Sequence, residues 1–451
     1  MKKLIYSGLA LVAIIGSGLL LSGCGSTTTT TTQTPTISMT RPTGDEDFFK
    51  GVIAGFKESN SSATINYKEV PFEDYELNTL NTLAAQTGPD IWTIRNDWVS
   101  KHYDKLLPIP DSFFKVDKND KSTAVDYFKA NFGENVANDV IVNNKVYGIP
   151  LAMDTMVIYY NSKLINEAID AYNTVADENK TEGIDGIPQT WDSFLNFVPY
   201  ATKRDGSNIT QAGIAMGTAN NVNRATDILY LLMLQNGAQM VSPDNLTATF
   251  NLDTKTSAGG SANPGLSALD FYTSFSNSSK PNYSWNSSMP DSIQAFVDGK
   301  VAMIFGYGYM ANTIKQLAPD LNYKTAKVPQ ISKTAEPVNF ASYWVETVTK
   351  SSKGSSLVFQ FLKSYANKNT SADYATLKNS SNAYMQNYDK TDENPKNSQP
   401  ANVKTFNKGK QPEKFDSLIV DMISNATSGT SHQKTLDETA TKITNLLREK
   451  E

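Results

Sequence analysis

Arg95, Asn96, Asp97 and Trp98 occupy four successive positions directly behind the apolar run 91–94. An aromatic face beside a carboxylate, an amide and a guanidinium suits a hydroxyl-rich ligand. The ring covers the ligand's apolar face, and the polar groups donate to and accept from its hydroxyls. A loop at the carboxyl end of a strand in a parallel α/β sheet is also where ligands usually bind. Two alternatives stay open: Arg95 could simply pair with Asp97, and Trp92, within the run itself, reads as core. A second cluster, Gly306-Tyr307-Gly308-Tyr309, follows the apolar run 301–305. Its glycines let backbone approach a ligand closely while the tyrosine rings cover it, although Tyr307 also suits packing.

Enzyme chemistry finds little to work with. The histidines are His102 and His432, too few for an obvious metal cluster, and Cys24 is the lone cysteine. Gly306-Tyr307-Gly308 lacks the spacing and lysine of a phosphate loop, and Asp117-Lys118-Asn119-Asp120 lacks the spacing and glycine of a calcium loop. No metal and no cofactor are therefore expected. A glycosidase needs only two carboxylates, which 46 acidic residues leave open. The formal charge of -5 argues against nucleic acid as a partner.

The elements that must position these residues are legible in the apolar spacing. Ile37 and Met39 alternate as in a strand, and Phe48, Phe49, Val52, Ile53 and Phe56 recur at helical spacing. Ile65 and Tyr67 begin another strand. Leu77, Leu80, Leu83 and Ala84 mark a helix closed by Gly88-Pro89, and a strand follows over 91–94. Such alternation predicts a mainly parallel sheet flanked by helices. Downstream, Thr190 caps a helix through Phe194 and Phe197, and 228–234 reads as a buried helix ending at Gly237. Ile293, Phe296 and Val297 form a helix that Gly299 ends, before a buried strand over 301–305. Further helices run through Leu357, Phe361 and Tyr365 and through Leu436, Ala440, Ile443 and Leu447. Roughly 410 residues beyond the N-terminal segment are too many for one core and predict two lobes.

That N-terminal segment has its own logic. Lys2 and Lys3, an apolar stretch over 4–21 and small residues before Cys24 describe a secretory signal peptide. An uncleaved anchor helix is the alternative, since about 18 apolar residues is near the lower limit for a span. Leu21-Ser22-Gly23-Cys24 resembles the lipobox of bacterial lipoproteins, which implies cleavage before Cys24, lipidation of its thiol and tethering to the outer face of the cell membrane. Residues 1–23 are then the signal peptide. The stretch 24–35, with six successive threonines, is a disordered tether.

Four motifs carry a wider resemblance. Thr87-Gly88-Pro89-Asp90-Ile91, Tyr147-Gly148-Ile149-Pro150 followed by Ile158-Tyr159-Tyr160-Asn161, Pro188-Gln189-Thr190-Trp191, and Phe296-Val297-Asp298-Gly299-Lys300-Val301-Ala302-Met303 stand in the order seen in extracellular solute-binding proteins of ABC importers. The chain resembles the maltodextrin and multiple-sugar binders among them, from about residue 36 to its end. The resemblance implies an α/β fold of two lobes, of the type 2 periplasmic-binding-protein kind, each a mainly parallel sheet flanked by helices with a ligand cleft at the hinge. It places lobe 1 at 36–152 and 323–372, and lobe 2 at 153–322 and 373–451.

The resemblance also assigns residues. Asp154, just after Tyr147-Gly148-Ile149-Pro150, falls where family members carry an acidic residue that bonds sugar hydroxyls. Tyr309 falls at a stacking aromatic. Tyr343 and Trp344 stand where relatives line the cleft with small residues, and Asp416 stands where maltodextrin binders carry an aromatic, two departures that bear on pocket shape and ligand. From its polar neighbours between Tyr283 and Met289, Trp285 could reach the cleft or pack on the lobe surface, with packing the favoured reading. The expected ligand-binding set is Arg95, Asp97, Trp98, Asp154, Tyr307, Tyr309 and Trp344, in a monomer that captures a mono- or oligosaccharide without chemistry and hands it to an ABC permease and its ATPase subunits. A non-sugar solute such as a glycerophosphodiester or polyol is the alternative, ahead of a glycan-active enzyme or a surface adhesin.

Overall fold

The computed structural model describes residues 35–449 apart from 116, 118, 176–182, 256–259, 354–355 and 385–402. The signal peptide, Cys24 and the tether up to residue 34 lie outside the described residues. Apolar side chains collect into two cores. One gathers Ile37, Phe49, Ile91, Phe128, Ile149, Val345 and Phe361. The other gathers Ile158, Phe197, Ile214, Ile228, Met303, Ile419 and Ile443. The two-lobed α/β architecture follows from that division.

Lobe 1 is built on a six-stranded sheet ordered Thr64–Val70, Thr36–Pro42, Ile91–Arg95, Trp344–Thr349 and Leu106–Leu107, with Ile149–Pro150 also paired to Trp344–Thr349. Its first three strands run parallel, joined by the helices Glu46–Ser59 and Phe72–Ala84, while Trp344–Thr349 lies antiparallel to Ile91–Arg95. Lobe 2 carries the five-stranded order Lys203–Asp205, Asn208–Ile214, Val301–Gly306, Val157–Asn161, Tyr323–Ala326. Only Asn208–Ile214 with Val301–Gly306 is parallel there, so the expectation of a mainly parallel sheet fails in this lobe. Val157–Asn161 follows directly on a strand crossing from lobe 1, and Tyr323–Ala326 precedes the crossing back. Their directions are set by those crossings, not by strand-helix-strand returns within the lobe.

The crossings build a sheet of their own. Ser381–Asn382, Ala152–Thr155, Asn339–Ser342 and Val403–Lys404 form a four-stranded ladder between the cores. Along it Met153 joins the first core and Met156 the second, and Phe340 joins the second and Ala341 the first. Val403 belongs to the first, while Phe406 packs on the second. This corrects the later lobe boundaries. The chain returns to lobe 1 near 340, not 323, because Tyr323–Ala326 is registered against Val157–Asn161. It stays in lobe 1 past 372, because Tyr374 bonds Arg41 and Asp45 and Tyr384 packs in the first core.

Local signals behave as read. The Thr190 hydroxyl accepts from Ser193 N at the start of Trp191–Ala201, and Gly299 ends Ser292–Val297 at φ +69°. Trp285 is fully buried and donates to Asn221 (3.2 Å), a packing role.

A charge network locks lobe 1. Arg41 is 1% exposed and stands over the Phe49 ring at 4.2 Å. It donates to Asp45 and to the Tyr374 hydroxyl at 2.9 Å each and to Thr93 at 3.0 Å, and it pairs with Glu346. Glu346 also accepts from Tyr365 (3.0 Å) and Thr93 (3.1 Å). One guanidinium thus ties three strands to the helix Lys368–Leu377. Removing one partner of a buried ion pair leaves an uncompensated charge. Glu346→Ala is therefore expected to lower stability by about 3–5 kcal/mol, read by urea denaturation of the ligand-free protein.

Candidate binding site

Strand register positions the lobe 1 half of the site. Trp344 stands opposite Arg95, and Tyr343 O accepts from Asn96 N at 2.9 Å, which turns the chain into the short helix Asn96–Trp98. Asn96 is a fastener there: its side chain accepts from Tyr343 N (3.2 Å) and donates to Asp139 (2.9 Å). Arg95 bonds Asp97, and Trp98 lies stacked on Phe72 with its edge to Trp344. The indole N–H of Trp98 donates to Glu413 Oε1 (2.6 Å) and Lys101 donates to Glu413 Oε2 (2.9 Å). Glu413 begins the helix Pro412–Thr427, whose buried face packs in lobe 2, so this contact latches the lobes together.

The lobe 2 half comes from the end of Val301–Gly306 and the start of the helix Ala225–Gln235. Tyr307 is fully buried and donates its hydroxyl to Asp227 (2.8 Å); it supports the site from beneath instead of offering a face to it. Tyr309 stacks over it at 6.1 Å and is 43% exposed. Arg224 pairs with Asp227, lies 5.0 Å above the Tyr307 ring and adopts φ +62°, a left-handed conformation uncommon for its type. Gly308 explains how closely the halves meet. A Cβ there would lie 2.2 Å from Asn379 O and 2.9 Å from Asp154 Oδ1, so only glycine allows this approach. Asp154 sits at the crossing and accepts from the Ser380 hydroxyl.

Two small cavities lie near the hinge, the first on its lobe 1 side beside Arg41 and Glu346 and the second between the lobes. One of about 20 Å³ is lined by Asp154, Trp344, Lys378 and Ser380. The other, about 10 Å³, is lined by Arg95, Asp97, Arg224, Asp227 and Lys408. Such spaces admit about one water, so a larger solute enters only if the lobes part. A groove of about 660 Å³, lined by Asp139 of lobe 1 and Met240 of lobe 2, also runs between the lobes, and one of about 700 Å³ lies on lobe 2; among the described residues, the smaller cavity is where unsatisfied polar atoms of both lobes meet. Asp97 Oδ1 and Arg224 Nε are shut from solvent and have no hydrogen-bond partner among the described residues.

Burial works against charge throughout this cleft. It acts to raise the Asp97 carboxyl, yet Arg95 and Lys408 overcome it and hold that carboxyl below its ordinary range. Asp416, which accepts from Tyr230 at 2.6 Å and from Lys408 at 3.0 Å, is pushed up by burial against Lys408, with Asp227 and Asp97 adding repulsion. Asp139 is pushed up to about 6 by burial, although Tyr343, Asn96 and Thr405 bond it.

Of the expected residues, Arg95 and Asp97 line one cavity, Asp154 and Trp344 the other, and Tyr309 presents a face. Trp98 and Tyr307 spend their polar atoms on Glu413 and Asp227. Arg224, Asp227 and Lys408 were not anticipated. A signal existed: Arg224 and Asp227 are the only charged residues between Gly206 and Pro243.

A model of the family of bacterial extracellular solute-binding proteins matches residues 51–428. The chain belongs to that family. Curated relatives from Brucella abortus (strain 2308) and Brucella suis biovar 1 (strain 1330), named only as binding proteins, are 25% identical over 288 residues. That alignment covers 62% of this chain and 59% of theirs, so the chain spans about three fifths of their length. Among solved structures, the sugar-binding protein MalE of Xanthomonas citri aligns with TM-score 0.70 at 16% identity, over 91% of this chain and 97% of its own. MalE of Listeria monocytogenes in complex with maltose gives 0.68 at 18%, covering 93% and 100%. A solute-binding protein of Thermotoga lettingae bound with α-D-tagatose gives 0.66 at 19%, covering 92% and 100%. At these identities the likeness is one of fold.

Two outcomes test this family member's site geometry. Gly308→Ala is expected to hold the lobes apart, giving, in X-ray scattering with saturating ligand, a larger radius of gyration than the ligand-bound parent. Asp139, with its folded value near 6 above an unfolded value of about 3.9, binds its proton more tightly when folded. Its contribution is full below the unfolded value and fades as pH rises through 6, by on the order of 2–3 kcal/mol. Asp139→Asn should therefore be at least as stable as the parent at pH 7 and should gain less on acidification to pH 4, as thermal unfolding across that range will show.

Proposed function

We propose that this chain is an extracytoplasmic receptor that captures a carbohydrate by closing its two lobes and delivers it to an ABC permease. The observation that carries this reading is the convergence at the hinge of an open-faced tyrosine, Tyr309, with the buried unsatisfied atoms of Asp97 and Arg224 from opposite lobes. Stacking face plus charged hydrogen-bonding groups is what a sugar requires. Membership in an extracellular binding family supports the location, and the maltose and tagatose named for structural relatives agree with the ligand class. Hinge closure around a ligand is a motion general to periplasmic binding proteins.

In this reading Cys24 carries the lipid and the threonine tether lets a monomeric receptor stay near the permease, raising their effective concentration. The closed form is what the permease recognises. No bond is made or broken in the ligand, and ATP hydrolysis by the partner subunits drives transport. Asp154 and Trp344 line the small cavity on the lobe 1 side of the hinge, and Trp98 acts through the Glu413 latch.

A thermal-shift screen over sugars, polyols, glycerophosphodiesters and peptides tests the ligand class. Saturation at 100 times Kd should stabilise the protein by about 2.7 kcal/mol. Tyr309→Ala should weaken binding of the stabilising sugar while leaving the ligand-free melting temperature nearly unchanged. Stabilisation by a peptide or glycerophosphodiester alone would show the substrate class to be wrong.

A further inference from the structure

We propose that Asp139 is a positioning residue for the binding site: as an ionised acceptor it holds Asn96 in place, and through Asn96 it fixes the short helix Asn96–Trp98 that presents Asp97. This rests on the reading of that helix as part of the site, and it adds a control by pH. Asp139 is buried on the helix Glu134–Val140 of lobe 1. Its Oδ2 accepts from the Asn96 side-chain amide (2.9 Å) and from the Tyr343 hydroxyl, and Thr405 bonds the same carboxyl. Asn96 in turn clasps Tyr343, its backbone N–H donating to Tyr343 O (2.9 Å) and its side-chain oxygen accepting from Tyr343 N (3.2 Å). An amide so placed cannot turn over without losing a donor bond and an acceptor bond together. Asn96 and Asp97 line the cavity between the lobes and Asp139 does not, so its influence on a bound solute passes through Asn96.

The ionisation of Asp139 decides how firm this clasp is. Asn96 and Tyr343 donate to a carboxylate through charge-assisted bonds, roughly twice as strong as those to a neutral acid. Burial raises the carboxyl to about 6, against the bonds from Tyr343, Asn96 and Thr405 and with added repulsion from Asp97, so the change falls in mild acid. The Asn96 bond lowers that value. Breaking the bond while the carboxyl stays buried therefore raises it above 6, and the loosened loop binds the proton more tightly than the clasped one. The clasp is full at pH well above 6 and is lost as pH falls through 6. Unfolding has the opposite sign because it removes the burial as well. The remaining charged or titratable groups on the elements packed against this helix are placed otherwise. Lys101 is taken by Glu76 and Glu413, His102 by Glu76, and Lys404 lines the groove beside Asp139. Asp126, Lys129 and Glu134 are exposed, and Tyr127 is half-buried.

Nuclear magnetic resonance of the isotope-labelled, ligand-free full chain from pH 4 to pH 8 tests this. The backbone amides of Asn96, Asp97 and Trp98 are expected to shift with a midpoint of about 6 in the parent. Asp139→Asn, an uncharged isostere, should lose that step. Tyr343→Phe removes a bond that favours the carboxylate and should move the midpoint upward. His102, which burial holds below its ordinary value, titrates in all three proteins, so only the step absent from Asp139→Asn counts. Isothermal titration with maltose and with α-D-tagatose as probes reads the consequence. The probe that binds should bind the parent about fivefold more weakly at pH 5 than at pH 7. Asp139→Asn should bind it at pH 7 as weakly as the parent does at pH 5, although its ligand-free melting temperature at pH 7 is not lowered, a split that a merely structural aspartate would not give. Loop amides that do not titrate near 6, a step that survives in Asp139→Asn, or an affinity that Asp139→Asn leaves unchanged overturns the inference. Failure of both sugars to bind counts against the carbohydrate reading, and the amide titration then decides this inference without them.

Discussion

Charge in a protein interior must be answered where it stands, and this fold is arranged around that requirement. Within lobe 1, Arg41 sits among Asp45, Glu346, Thr93 and Tyr374, so strands from distant parts of the sequence share one guanidinium. At the hinge the same rule operates between lobes. Asp97 of lobe 1 lies beside Lys408, and Glu413 on a lobe 2 helix receives Trp98 and Lys101. The first network is complete and fixes a rigid body. Among the described residues the second leaves Asp97 Oδ1 and Arg224 Nε unanswered, a difference expected between a core and a binding site.

What could be read from the sequence follows the same division. Long amphipathic elements announce themselves, because one buried face imposes a period: Glu46–Ser59, Trp191–Ala201 and His432–Arg448 all stand where apolar spacing put them. The hinge did not announce itself. Ser381–Asn382 and Val403–Lys404 are two residues each, too short for any period, and exist because neighbouring strands offer them a ladder. The lobe boundaries at 323 and 373 came from the family resemblance, and the return to lobe 1 near 340 follows instead from the pairing of Tyr323–Ala326 with Val157–Asn161. In the site, Arg95, Asp97 and Trp98 were visible because they are adjacent in sequence. Arg224 and Lys408 reach the same cavity from far along the chain, and only folding makes them neighbours. Tyr307 and Tyr309 look alike in sequence, yet the two-residue step turns one into the core and leaves the other open.

In the proposed reading, the closed arrangement gives a physical reason for closure to need a ligand. The Glu413 latch is weak, since Glu413 is 48% exposed and an ion pair so placed contributes about 0–1 kcal/mol. Against them, closing buries Asp97 Oδ1 and Arg224 Nε without partners, at about 1–3 kcal/mol each. The empty closed state is therefore penalised by the same atoms that a ligand satisfies. In the proposed reading, ligand groups that answer both remove the penalty, and the latches and the Tyr309 face add to the balance. Turning a mostly open population into a mostly closed one takes about 5.5 kcal/mol of differential binding, which is the scale these groups provide together. Two unpaired atoms thus do what a stronger latch could not: a tight latch would close the cleft whether or not anything was inside, whereas an unmet hydrogen bond closes it only around something that can meet it.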